Sequence, residues 1–364
     1  MKLLAPGTGW ALRPGYLYWT SDNGMHWKDI SPRDPVVSGH IFFLNASTGW
    51  VVSGEYEPCA PELHVSLDAT TDVGATWSQT EISLPLKDYG IPFDSDGGEG
   101  SCSLPTGGAK AIAFADHLHG WMNIFFHGQT MNSWMSSLLL TSDGGRTWKR
   151  VTNAPELTET QMLCISATDG WLYGDDENEI GWALYVARDG GRSWQQFAPD
   201  PPGLEQCEVH GLPIFQDARH GFLPETCVPT KPYEFRRTMV LMATSDGGRT
   251  WKLDRSVSNL PEVAVSGSQY SSSTVAGADW IFAAASDHVP VLTKVGAGTS
   301  VDSGINRAAS RPAFKMIRKM SFATPTEGWI IMSDGELMST TDGGTTWTAL
   351  RPGPQPHVIQ PGGN

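Results

Sequence analysis

Apolar residues in this chain come in short runs, and the polar stretches between them recur at regular intervals. Ile41-Phe42-Phe43-Leu44 and Met162-Leu163-Cys164-Ile165 are typical runs. They are too short for helices and rich in aromatic and β-branched residues, so they predict strands. Many such runs are followed by a small or polar residue, a glycine and an aromatic: Gly9-Trp10, Gly49-Trp50, Gly120-Trp121, Gly170-Trp171, Gly221-Phe222 and Gly328-Trp329, with Ala278-Asp279-Trp280 as a decayed copy. Each is expected to open a second strand.

The polar intervals carry a second repeat. Thr141-Ser142-Asp143-Gly144-Gly145-Arg146-Thr147-Trp148 recurs as Thr244 to Trp251 and Thr340 to Trp347, with weaker copies at Thr20 to Trp27, Thr70 to Trp77 and Ala187 to Trp194. The frame is Thr-x-Asp-x-Gly-x-Thr-Trp. Its Asp can accept backbone N–H bonds at a turn tip, and its Gly supplies the positive φ of a tight hairpin. Its Trp anchors the returning strand. The aspartates Asp22, Asp72, Asp143, Asp189, Asp246 and Asp342 therefore read as structural. They are 50, 71, 46, 57 and 96 residues apart. The last step is twice the usual one, which predicts a unit near residue 294 that has lost its turn but kept Trp280. A unit of about 50 residues holding four short strands is a propeller blade. The expectation is an all-β, seven-bladed propeller over 1–350, followed by a Pro/Gly-rich tail, 351–364. In that tail His357-Val358-Ile359 either joins the first unit and closes the ring or stays apart from it.

Twelve of the fifteen tryptophans fall in the two repeats and are expected to pack between blades. The formal charge of −14 opposes nucleic-acid or anionic-membrane binding. No apolar run is long enough to span a bilayer. The start, Met1-Lys2-Leu3-Leu4-Ala5-Pro6, is too short for an export signal.

If the box turns join third and fourth strands on one face, the second-to-third loops and the inter-blade links lie on the other. Cys59, Cys102, Cys207 and Cys227 fall there, which predicts the bridges Cys59–Cys102 and Cys207–Cys227 and an oxidising compartment; the alternative is five reduced cysteines in a cytosolic protein. Cys164 is expected to be a free buried thiol. The longest insertions also fall there, in units 2 to 5. They form an acidic and aromatic wall: Glu55, Glu57, Glu62, Asp94, Asp96, Glu99, Asp175, Asp176, Glu177, Glu179, Glu205, Glu208 and Glu225. Tyr56, Tyr89, His127, Trp134, Tyr173, Trp182, Tyr233 and Arg236 are the candidate ligand-binding side chains. Glu55, Asp96, Asp175 and Glu177 are the candidate acids if the wall hydrolyses glycosidic bonds, which needs a facing carboxylate pair. Otherwise it is a solvated rim. No metal-ligand spacing is present; the runs at 94–99 and 175–179 are the only oxygen clusters that would suit calcium. No cofactor is expected.

The repeated turn resembles the Asp-box, or bacterial neuraminidase repeat. With the Gly-Trp starts it is similar to two groups, the sialidases and the photosystem II assembly/stability factor type of propeller. The first resemblance implies glycosidase chemistry; its Arg-Ile-Pro motif is missing here, and Arg13-Pro14 and Arg311-Pro312 are poor substitutes. The second implies a non-catalytic exported scaffold, here a monomer, that binds a protein or glycan through the face opposite the boxes.

Overall fold

The computed structural model describes residues 1–32, 40–53, 62–85, 107–127, 134–176, 181–198, 201, 204–209, 211–215, 217–229, 238–254, 270–275, 278–283, 291–295, 299–302, 317–324 and 326–353, with the backbone alone described from 270 to 302. It is an all-β propeller with no helix among these residues. The strands pair antiparallel into sheets of consecutive strands. Six sheets with described side chains span 2–29, 40–85, 107–150, 157–196, 204–253 and 317–350; a further sheet at 270–302 is described by its strand pairing. We refer to them as the first to seventh sheets in chain order. Trp280 lies in a strand of the sixth sheet, paired with Ser273 and Lys294. The fifth sheet is irregular: its first strand is split, and Ile214–Phe215 pairs separately with Gly221–Pro229.

First strands touch between the second and third, third and fourth, sixth and seventh, and seventh and first sheets, which puts them at the inner edge of the ring. The ring closes through side chains. The Leu3 N–H donates to Ser321 Oγ (3.0 Å), the Gly7 N–H to Glu327 Oε2 (3.1 Å) and Trp329 Nε1 to Asn23 Oδ1 (2.8 Å). The first sheet takes all its strands from residues 2–29; the 357–359 segment proposed to close the ring lies outside the described residues.

The Gly-aromatic starts explain how sheets pack. Each tryptophan leans on the sheet that follows. Trp10 meets Phe43 (6.3 Å), Trp50 stacks on Phe114 (3.7 Å), Trp121 meets Trp194 (5.1 Å), Trp171 meets Trp251 (6.1 Å), and Trp329 returns to Trp27 (5.7 Å). Such pairs add roughly 0.5–1.5 kcal/mol each beyond burial. The preceding glycine leaves room for a ring: a Cβ at Gly49 or Gly120 would strike Phe43 or Phe114, and one at Gly170 would strike Trp121.

The box turns behave as the frame predicts. Asp143 Oδ1 accepts Thr141 Oγ1 (2.9 Å) and the Thr147 N–H (2.9 Å), and Oδ2 accepts Thr147 Oγ1 (2.6 Å). The Thr141 hydroxyl in turn accepts the Gly145 N–H (2.9 Å). Two consecutive positions have positive φ, as at Gly144 (78°) and Gly145 (92°), one more than the frame suggests. The fourth copy has Ala187 where the others have Thr. Its Arg188 instead donates to Asp169 (3.0 Å) and to the carbonyls of Gly247 (2.7 Å) and Gly248 (2.6 Å), tying the fourth sheet to the fifth.

Candidate functional site

Three sequence candidates, Tyr173, Asp175 and Trp182, lie together on the fourth sheet where it faces the fifth, at the end away from the box turns. Gly170–Asp176 and Gly181–Ala187 pair in register, with Tyr173 opposite Leu184 and Asp175 opposite Trp182. Alternation puts all four on one face. Tyr173 is 5 % exposed and Trp182 47 % exposed, and their rings stack with centroids 5.0 Å apart. The Tyr173 hydroxyl donates to the Val209 carbonyl of the fifth sheet (3.1 Å). Burial, and then the charges of Glu208 and Asp175, push its phenol well above the ordinary range. It remains a donor, held in place, with an exposed indole on top and carboxylates beside it.

Asp175 and Asp176 point to opposite faces. Asp176 is 4 % exposed and accepts the Tyr185 hydroxyl. These two acids of the 175–179 run therefore do not share one cation. His127 and Trp134 are register partners where their hairpin opens. Glu55, Tyr56, Tyr89, Asp96, Glu177, Tyr233 and Arg236, the 94–99 run and the Cys59–Cys102 bridge lie outside the described residues.

Two members of the acidic wall need correction. Glu225 is fully buried and Asp176 nearly so. Both lie within strands, Gly221–Pro229 and Gly170–Asp176, because these strands run further from the box face than their apolar runs suggest. For the same reason Cys207 and Cys227 lie on paired strands rather than in loops. Their bridge is present, with the Cα atoms 4.1 Å apart, and Cys164 is free. Cys164 is half-buried rather than the buried thiol expected; the apolar surroundings of its sulfur still push the thiol up, and nearby Asp116 adds to this.

Cys207, Glu225 and Cys227 form the one cluster of metal-ligand type among the described residues; its sulfurs are spent in the disulfide. Sequence reasoning missed this grouping, because nothing in the spacing sets Glu225 against the bridge. Two clefts are also present. One of about 410 Å³ lies on the box side, between His119, Trp121, Lys149, Asp189 and Arg192. The other, of about 380 Å³, lies under the 153–156 link and contains Glu156, Asp176 and Trp194.

No family model matches the sequence, and no curated protein matches it. Among solved structures the chain is similar to YCF48 bound to D1 peptide (16 % identity, covering 85 % of this chain and 80 % of that one, TM-score 0.44). It is also similar to an ulvan lyase of a polysaccharide lyase family (10 %, 86 % and 81 %, 0.46) and to a Hadza microbial sialidase (13 %, 92 % and 58 %, 0.43). Likeness at this level does not bear on what this chain binds or does.

Proposed function

We propose that the chain is a non-catalytic, extracytoplasmic binding propeller of seven blades built on Asp-box turns. It recognises a protein or glycan through the face opposite those turns, at the fourth and fifth sheets. The observation that carries this reading is the Trp182 indole. A tryptophan exposed by 47 % and stacked on a buried tyrosine is a rigid platform that gives up little entropy on binding. With Asp175 opposite it in the sheet, it suits the apolar face of a sugar ring whose hydroxyls reach that carboxylate, or an apolar segment next to a cationic side chain. The Cys207–Cys227 bridge supports an oxidising compartment.

The test is binding to glycan and peptide arrays by wild-type protein and by Trp182→Ala. The expected result is loss of the wild-type signal with only a small fall in thermal stability, of the order of one ring pair (roughly 0.5–1.5 kcal/mol), because the indole is half exposed and stacks on Tyr173. Equal binding by the variant overturns the reading. Turnover of aryl glycosides that Asp175→Ala abolishes would replace it with hydrolysis.

A further inference from the structure

We propose that the Cys207–Cys227 bridge is a thiol–disulfide exchange site for a dithiol substrate, with Glu225 as proton donor to the departing Cys227 sulfur. Three observations place these groups together. Glu225 and Cys227 are two residues apart on one strand, hence on one face, and Cys207 bridges to it from the neighbouring strand. A carboxylate oxygen of Glu225 lies within 4.8 Å of both sulfurs. Glu225 is fully buried, and neither of its carboxylate oxygens has a hydrogen-bond partner among the described residues.

A buried carboxyl without a partner is costly and calls for an explanation. Packing does not supply one. Leu223, on the same face, fills the apolar seam against Trp171 and Tyr173, and a leucine would serve at 225 as well. Among the described residues electrostatic pairing does not supply one either; His210, Lys231, Arg236 and Arg237 lie outside them. The titratable groups on the adjoining elements are Glu205 and Glu208 on the neighbouring first strand, and Tyr173 and Asp175 on the facing sheet. The Thr238–Thr244 strand has none. None of these is cationic. Burial alone pushes the Glu225 carboxyl up to about 8, so at neutral pH it holds a proton beside a disulfide.

The two sulfurs are unequal. Cys207 is half-buried and Cys227 fully buried. A substrate thiolate therefore attacks Cys207 Sγ. The S–S bond breaks, a mixed disulfide forms on Cys207, and Cys227 leaves as a thiolate in an apolar seam where its charge is disfavoured. Glu225 gives it a proton. The substrate's second thiol then attacks its own sulfur in the mixed disulfide, and Cys207 departs with the proton that thiol releases. The substrate is oxidised to its disulfide, the bridge is reduced to two thiols, and Glu225 regains a proton from water. The rate of such exchange depends on the leaving thiol's proton affinity and on access to the attacked sulfur; a proton from Glu225 offsets the first for buried Cys227, and Cys207 is the less buried sulfur.

The experiment uses the full chain and dithiothreitol. Samples are quenched by alkylation, and Cys207 and Cys227 are followed by mass spectrometry across pH 6 to 10. The rate constant per dithiothreitol thiolate is expected to hold steady below about 7 and to fall as Glu225 loses its proton. In Glu225→Gln it should be slower at pH 7 by on the order of 100-fold, the lower end for a positioned acid, and show no bend. Glu225→Asp keeps a carboxyl and should restore the bend in part. The glutamine variant removes a buried ionisable group, so its urea midpoint at pH 8 is expected to be no lower than wild type. A wild-type rate and profile in Glu225→Gln overturns the proposal, as does a Glu225→Asp profile without a bend. Trp182→Ala should leave the exchange unchanged, which separates this proposal from the binding surface.

Discussion

Gly170→Ala tests the packing rule on which the ring depends. A Cβ at this position would sit 2.0 Å from Trp121 Cη2, 2.4 Å from its Cζ3 and 2.7 Å from the Leu163 carbonyl oxygen. Real Cβ contacts stay beyond 3.0 Å, so either the indole or the strand has to move. The indole has little freedom: Trp121 is 4 % exposed and meets Trp194 edge-on at 5.1 Å. The Leu163 oxygen belongs to the paired first strand and moves only with it. Overpacking of this kind costs about 3 kcal/mol. For a chain of this size the unfolding entropy is about 0.8 kcal/mol/K, so the melting temperature should fall by about 4 °C. Trp121→Ala alone should cost about 3–5 kcal/mol through the cavity it leaves. Made together, the two changes should cost less than their sum, by about 1–3 kcal/mol, because the smaller side chain clears space for the methyl. The relief is partial, since the carbonyl stays. Urea denaturation of the four proteins measures this coupling. Gly335→Ala, at φ +84° with open space around it, is the control and should cost only about 1–2 kcal/mol. Additivity of the Gly170 and Trp121 changes to within about 0.5 kcal/mol would show that the glycine does not accommodate the ring, and the account of the Gly-aromatic starts would fail.

Two further outcomes follow from the box turns. Val73 sits at φ +60°, in the place occupied by Asn23, Gly144, Gly190, Gly247 and Gly343 elsewhere; Val73→Asn should relieve a left-handed strain of roughly 1 kcal/mol, seen as a higher urea midpoint, and no gain would mean the turn carries no such strain. Asp72 and Asp143 are held at about 2, the first by the Thr76 hydroxyl, the Thr76 N–H and the Thr70 hydroxyl, the second by the Thr147 hydroxyl and N–H and the Thr141 hydroxyl. A depressed folded value means this stabilisation is complete above about 4, the ordinary carboxylate range, and is lost as pH falls through about 2. The urea midpoint should drop over that window, and less so in Asp143→Asn; parallel curves would contradict the assignment.

The sequence alone determined the all-β repeat, the turn hydrogen bonds of the box aspartates and the inter-sheet contacts of Trp10, Trp50, Trp121, Trp171 and Trp329. Each of these rests on a local pattern: an Asp four residues before the N–H it accepts, or a Gly beside the ring it accommodates. It also placed Cys207 and Cys227 together, because both lie at one end of neighbouring strands. Only the tertiary structure decided which wall acids meet water. Strand ends are not marked by apolar runs, so Glu225 and Asp176 looked like rim residues and proved to be buried. Their surroundings come from residues far away in the chain. The Tyr173–Val209 contact depends on how two sheets splay. The position of Glu225 against the bridge depends on strand register and on which face a residue occupies. Both are set by packing across the ring, which no stretch of sequence encodes by itself.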